Sequence, residues 1–448
     1  MSRGRPERFT LNGRIGAHGP HSLSDPEDDL TPPESRSATD GARPRPPIGF
    51  PAPLLVRAGV AVTLALAVAS CGKTGGGGWG GSVDTLSSGT VRVRNPASGL
   101  WTDETRPRLE LTTTIGRATG EEPFLFGDVR DIEVDGMGRV WVLDNQNREV
   151  RVFGPDGRHV RTVGGPGEGP GEFRNPNGLA RDPGTGRIWV VDPATGRYTV
   201  FDTAGSLVET RPRDATGWGY RWPGRFDRDR RLFDFMLAGG VDDRFRGIVI
   251  RSGAGDALDT LRIPTSAGQR SFFRIERENG MTMRPVPYVA YGDWEVSLAG
   301  TVWATRADAY RLQEVTAAGD TARIVTREHG PVPVTEAERD SIRRDFVDDF
   351  GEGAKQLDFS RIPGEKAAIR ALFVGRTDRV WVLPYGRRGE TGRLADVFGS
   401  EGRYLGRLEL PVRLRWSVHP IVTEDALYGV RDDPATGVNQ VVRVAIER

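Results

Sequence analysis

Beyond residue 71 the chain carries three histidines, His159, His329 and His419, and its only cysteine is Cys71. A metal-dependent hydrolase or lyase draws several ligands from separate segments of the chain. His419, just before Pro420, is the histidine best placed to meet carboxylates such as Asp131 or Glu295. The competing expectation for His419 is a structural, hydrogen-bonded side chain. One cysteine excludes an intramolecular disulfide and a Cys-ligated zinc site. No Gly-x-Ser-x-Gly elbow is present, and no Asp-x-Asp-x-Asp-Gly calcium loop. The Gly164–Gly171 stretch lacks the Gly-Lys-Ser/Thr ending and following helix of a phosphate loop, so it reads as a connecting loop. No catalytic residue and no cofactor is expected, with a divalent metal left open.

Recognition residues are a second kind of chemistry. Trp141, Trp189, Trp303 and Trp381 recur within similar segments, which marks them as core packing. Trp218, Trp222, Trp294 and Trp416 fall outside that register. With Arg174, Asn175 and Asn177 in one polar loop, and with His419, they form the candidate ligand face. The formal net charge of +1 gives no pull toward nucleic acid or an anionic surface. Arginine dominates the basic residues, lysine being confined to Lys73, Lys355 and Lys366, and we read this as a coding bias of a GC-rich genome.

The elements that must position these residues follow from a repeat. Gly138-Arg139-Val140-Trp141-Val142, followed by Asp144, Phe153 and Gly157, restarts 48 residues later at Gly186-Arg187-Ile188-Trp189-Val190, with Asp192, Phe201 and Gly205. A period of this size built from short strands marks a propeller blade. Val150-Arg151-Val152-Phe153 alternates as a half-buried strand does, and Gly154-Pro155-Asp156-Gly157 is a turn in which Asp-Gly accepts the left-handed backbone. Further blades are expected over 226–263, from Glu295, from Ala371 and from His419, the third lacking the tryptophan. The sixth ends one outer strand short, while Leu109–Ile115 has no partner of its own. The expectation is an all-β, six-bladed propeller over 107–448, closed by that N-terminal strand.

Insertions interrupt the pattern at about 265–290 and 328–366. Thr335-Glu336-Ala337-Glu338 is a capping box, and Ile342, Phe346, Val347 and Phe350 follow at helical spacing, so a helix is expected from about Glu336 to Phe350. It either plugs a surface groove or covers one end of the channel.

The N-terminus is of another character. Residues 1–55 are polar and aperiodic, either a disordered extension or a start placed too far upstream. Over 56–71, Arg57 precedes an apolar run to Ala69 and then Ser70-Cys71, too short to span a bilayer. Small residues followed directly by cysteine resemble the lipobox of bacterial lipoproteins. That resemblance implies cleavage before Cys71 and lipidation of its sulfur, and Gly72 in place of Asp implies the outer membrane. Gly-rich composition makes 72–106 a flexible tether.

Residues 128–211 resemble two NHL repeats, on the strength of Val142–Phe153 and of Gly164–Phe173 followed by Asn175-Pro176 and Gly178-Leu179-Ala180. The resemblance implies that Asp144 and Asn147-Arg148 brace the blade's own turns. It implies six-bladed propellers used mostly for binding and, in a minority of relatives, metal-dependent lactonases, esterases or lyases. The function expected is a membrane-tethered, non-enzymatic binding or sensing propeller of the cell envelope, a monomer with a protein, peptide or carbohydrate ligand. The alternative is a metal-dependent hydrolase or lyase acting in the channel.

Overall fold

A computed structural model describes residues 78–447 apart from 214–220, 239–244, 263–270, 278–279, 290–291, 307–308, 388–389 and 391–392. The expectations for Cys71 and the preceding segment, and for Trp218, lie outside the described residues.

Six antiparallel sheets form the blades of a propeller. Blade 1 is Val129–Val134, Val140–Asp144, Glu149–Phe153 and His159–Gly164. Blade 2 repeats it at Gly178–Arg181, Ile188–Asp192, Arg197–Phe201 and Leu207–Pro212. Blades 3, 4 and 5 begin at Arg225–Phe226, Trp294–Val296 and Ile369–Val374. Blade 6 takes Ile421–Val422, Ala426–Asp432 and Asn439–Glu447 from the C-terminus and its outer strand, Arg108–Ile115, from the N-terminus. The ring therefore closes by the strand expected to close it.

Local chemistry explains the repeat. Between the third and fourth strands the register slips at Val152/Phe153, Val200/Phe201, Ile250/Arg251, Glu314/Val315 and Val397/Phe398. At each slip a glycine (Gly157, Gly205, Gly255, Gly319 or Gly402) takes a positive φ of 79° to 93°. That backbone favours glycine. Space demands it too. A Cβ on Gly205 would lie 2.9 Å from Val163 of blade 1, and one on Gly402 would lie 2.5 Å from Val325 of blade 4. Each such turn rests on the outer strand of the preceding blade, so one residue serves both turn and packing.

Trp141, Trp189, Trp303 and Trp381 are at most 2 % exposed and fill the spaces between blades. In blades 3 and 6 Phe233 and Tyr428 take the equivalent position. Apolar clusters occupy all six blade junctions, including that between blades 6 and 1, which joins Val441 and Tyr428 to Ile132 and Phe153. Buried carboxylates brace two of these junctions, between blades 2 and 3 and between blades 4 and 5. Asp234 accepts from Tyr198 Oη (2.5 Å) and Trp222 Nε1 (2.7 Å), and Asp396 accepts from Tyr310 Oη (2.7 Å) and Tyr404 Oη (2.9 Å).

The tether expected over 72–106 is corrected in part. Ser82–Thr85 and Val91–Asn95 pair with each other, and the second runs parallel to the outer strand of blade 4, making that sheet six-stranded. Alternation in Val91-Arg92-Val93-Arg94-Asn95 buries Val93 and Asn95. Leu100 and Trp101 then donate backbone hydrogen bonds to Tyr404 and Leu405 on the outer strand of blade 5. The N-terminal segment thus belts blades 4, 5 and 6 before closing the ring.

Both insertions connect an outer strand to the inner strand of the next blade, so they emerge at the same end of the channel, here the entry end. The first contains a hairpin, Phe272–Arg277 and Gly280–Pro285. The second contains α1 (Glu336–Phe350), capped by Thr335 and Glu338 as the capping box predicts. Phe273, Ile275 and Val286 of the first pack with Ile342, Leu357 and Ile362 of the second in a shared apolar core. Val347, expected on the buried stripe, is exposed.

Candidate site at the entry end of the channel

The inner strands carry charged side chains to the channel. Glu133, Arg225 and Glu295 occupy equivalent places in blades 1, 3 and 4, each opposite the tryptophan position of its own blade. Glu295 is the hub. Arg225 Nη2 lies 3.1 Å from one oxygen, and His419 Nδ1 hydrogen-bonds the other. Burial pushes the Glu295 carboxyl upward, but Arg225 and His419 more than reverse this and hold it at about 2. Arg221 donates to Asp131 (3.1 Å), whose second oxygen accepts from Leu179 N of blade 2 (2.9 Å). There burial wins, and the Asp131 pKa is raised. Arg376 closes on Glu133 and on the Val134 carbonyl. Burial lowers the Arg376 pKa, although Glu133 opposes it.

Asp293 repeats the structural device of Asp131. Its oxygens accept from Trp294 N (3.0 Å) and from Leu372 N of blade 5 (2.8 Å), and desolvation raises its pKa. Each of these aspartates holds its blade to the inner strand of the next.

A metal does not fit these residues. Among the described residues no three of His, Cys, Asp or Glu come together as a metal-ligand group. Asp131, Glu133 and Glu295 are each already bonded to an arginine.

Above this belt, at the entry end, lies a cavity of about 620 Å³. Blade 5 supplies Arg370, Phe373 and Tyr385. The approach to blade 6 supplies Trp416 and His419, blade 4 supplies Asp293, and the first insertion supplies Phe272 and Pro285. Trp416 stacks on Phe373 with ring centroids 6.4 Å apart, and the Arg370 guanidinium lies 5.5 Å from the indole. The two insertions, joined by their shared apolar core into a cap, reach the same rim. Lys366 is buried, bonding Glu338 of α1 (2.7 Å) and the Gly386 carbonyl of blade 5 (2.8 Å), with its ammonium 5.0 Å from the Tyr288 ring.

The structure brings together two members of the expected ligand face, Trp416 and His419, and disperses the other described members. Trp222 is 3 % exposed and packs between blades 2 and 3. Asn177 is buried in the blade 2 approach. Trp294 is half-buried and stacks on Phe235. Arg174 is exposed and paired with Glu168 (3.0 Å), and the backbone amides of Arg174 and Asn175 are held by Asp192. None of these five lines the cavity. Asp144 braces its own turn as the NHL resemblance implied, accepting from Asn147 Nδ2 (2.9 Å) and Gly127 N (2.8 Å). The pairing of His419 with Glu295 was legible as a possibility, whereas Arg370 near the start of an inner strand, and Tyr385 and Asp293 just beyond strand ends, carry no motif.

The fold and this capped channel define a six-bladed β-propeller, and comparison with known proteins agrees. A family model described as a 6-bladed beta-propeller matches residues 118–216. No curated protein sequence matches the chain. Among solved structures, a Bacteroides fragilis protein assigned as exported is 14% identical, covering 80% of this chain and 100% of its own, with a TM-score of 0.47. Virginiamycin B lyase from Staphylococcus aureus is 11% identical over 76% of this chain and 99% of its own (TM-score 0.40). A gluconolactonase from Xanthomonas campestris is 12% identical over 76% and 89% (TM-score 0.38). Among the described residues no helix is long and apolar enough to cross a membrane.

Proposed function

We propose that the protein is a non-enzymatic binding or sensing propeller that takes its ligand in the capped cavity at the entry end. One observation carries this reading: Trp416 and His419, from the approach to blade 6, meet side chains of blades 4 and 5 around a cavity of about 620 Å³. That volume suits a small molecule, or the end of a peptide or glycan. The carboxylates nearest the channel are committed to arginines or to backbone amides, which favours a rigid wall over a metal centre. Lipidation at Cys71 would hold the propeller at the cell envelope, with the outer membrane favoured by Gly72 and a monomer as the working form. The ligand class excludes nucleic acid, because the chain has no basic excess.

Two measurements test the reading. A ligand screen by thermal shift on the full chain should return binders whose shift is lost in Trp416→Ala, and binders unaffected by that change would remove the cavity from the proposal. Metabolic labelling with a fatty acid should mark the parent and not Cys71→Ser, and an unlabelled parent would end the tethering claim.

The hydrogen bond between His419 and Glu295 favours a second reading. A carboxylate that orients an imidazole is the arrangement used for general acid–base chemistry, here without a metal. A screen of lactones and esters tests it, and a protein inert toward all of them removes it.

A further inference from the structure

Among the described residues lining the cavity, Arg370 and Trp416 each carry a buried polar atom without a hydrogen-bond partner, and Arg370 is the charged one. It lies on the blade 5 inner strand Ile369–Val374, and its Nη1 is buried with no hydrogen-bond partner among the described residues. Every other arginine described above around the channel, Arg221, Arg225 and Arg376, has a carboxylate. Burying a guanidinium donor without an acceptor is unfavourable, and native structures rarely tolerate it without a reason. Asp293 lines the same cavity, but its oxygens accept from Trp294 N and Leu372 N. His419 is engaged with Glu295. Arg413 adds positive potential beside Arg370 and supplies no acceptor.

We infer that the cavity is a carboxylate-binding site, in which Arg370 pairs with the acid group of a small organic ligand and the aromatic wall of Trp416, Phe373 and Tyr385 holds its apolar body. The inference rests on the reading of this cavity as the ligand site. A planar guanidinium offers parallel N–H donors that match a carboxylate. The ring of Trp416, already stacked on Phe373 and flanked by the guanidinium, gives a flat face for an aromatic or aliphatic group. The amide of the same acid offers one carbonyl acceptor and no charge, so it forfeits the second, charge-assisted hydrogen bond and the site discriminates against it.

The test uses the full chain, with 3-phenylpropionate, 3-phenylpropionamide and inorganic phosphate as probes, each at up to about 20 mM to reach weak, millimolar affinities. The carboxylate should raise the melting temperature and bind at least about tenfold more tightly than the amide, because an ionised hydrogen bond is lost with the amide. Arg370→Met should abolish that preference without lowering the melting temperature of the free protein, since it removes a buried charge that has no carboxylate partner among the described residues. Equal binding of acid and amide, phosphate binding in place of the carboxylate, no response to the carboxylate, or an unaltered preference in Arg370→Met would each overturn the inference. If acid and amide bind equally and both are lost in Trp416→Ala, the carboxylate assignment fails and the cavity stands. If binding survives Trp416→Ala, the cavity fails with it.

Discussion

His419 and Glu295, 124 residues apart in the chain, share a hydrogen bond that links blade 6 to blade 4 past the intervening blade 5. Arg225 of blade 3 joins the same carboxylate. Glu295 therefore ties non-adjacent blades together beneath the cavity and sets the floor on which a ligand would rest.

The Glu295 carboxyl titrates near 2 in the folded protein against an ordinary 4.5, because Arg225 and His419 outweigh the upward push of burial. A depressed carboxylate contributes stability that is fully present above the unfolded value. It is lost as pH falls from about 5 toward 2, and its full size is on the order of 3 kcal/mol. Asp131 and Asp293, raised by burial, act in the opposite sense. Glu295→Gln should cost about 2–4 kcal/mol at pH 7 by stranding Arg225. That deficit should shrink by about half or more at pH 3. Urea unfolding at the two pH values measures it, and a deficit independent of pH would contradict the role given to Glu295.

The N-terminal belt makes a separate prediction. Asn95 Nδ2 donates to the carbonyls of Thr326 (3.1 Å) and Gly402 (2.9 Å), and its Oδ1 accepts from Tyr404 N (2.7 Å) and Trp79 Nε1 (3.1 Å). Asn95→Ala leaves these buried groups unpaired and should cost about 2–3 kcal/mol. Denaturant unfolding should show it, and a loss below about 0.5 kcal/mol, the size of a neutral surface change, would mean that the added strands are only loosely held.

How far these features could be read from sequence depended on whether their cause was local. The Gly157, Gly205 and Gly402 turns and the inter-blade tryptophans recur because one backbone conformation and one packing position recur, and both show as spacing. Closure by Leu109–Ile115 was legible from a count of unpaired strands. The entry end was less legible, since Arg370, Tyr385 and Asp293 are gathered from one strand start and two flanking connections that share no motif. Trp222 misled because its approach loop departs from the repeat while its ring still fills a blade junction and bonds Asp234. The Gly-rich run after Cys71 masked the short alternation at Val91–Asn95, whose partner strand lies 231 residues away.

The cap should be separable from the ring. Lys366 is its buried anchor, bonded to Glu338 and to the Gly386 carbonyl. Lys366→Met leaves Glu338 without its cation, a change of about 3–5 kcal/mol for a buried pair. The loss should fall on the insertions, which have their own apolar core. Hydrogen exchange should speed up in α1 and the hairpin while the blade strands stay protected. Uniform acceleration across the blades would mean that cap and ring unfold as one.

The central claim is that the capped cavity beside Trp416 is where this propeller binds. The most direct measurement is a calorimetric titration of the full chain with the strongest hit of the ligand screen, run in parallel on Trp416→Ala and Arg174→Ala. The account predicts an affinity at least about tenfold weaker in Trp416→Ala, as for a buried aromatic contact worth more than 1 kcal/mol. It predicts no change in Arg174→Ala, whose side chain lies outside the cavity. The reverse pattern, with Arg174 required and Trp416 dispensable, would contradict it.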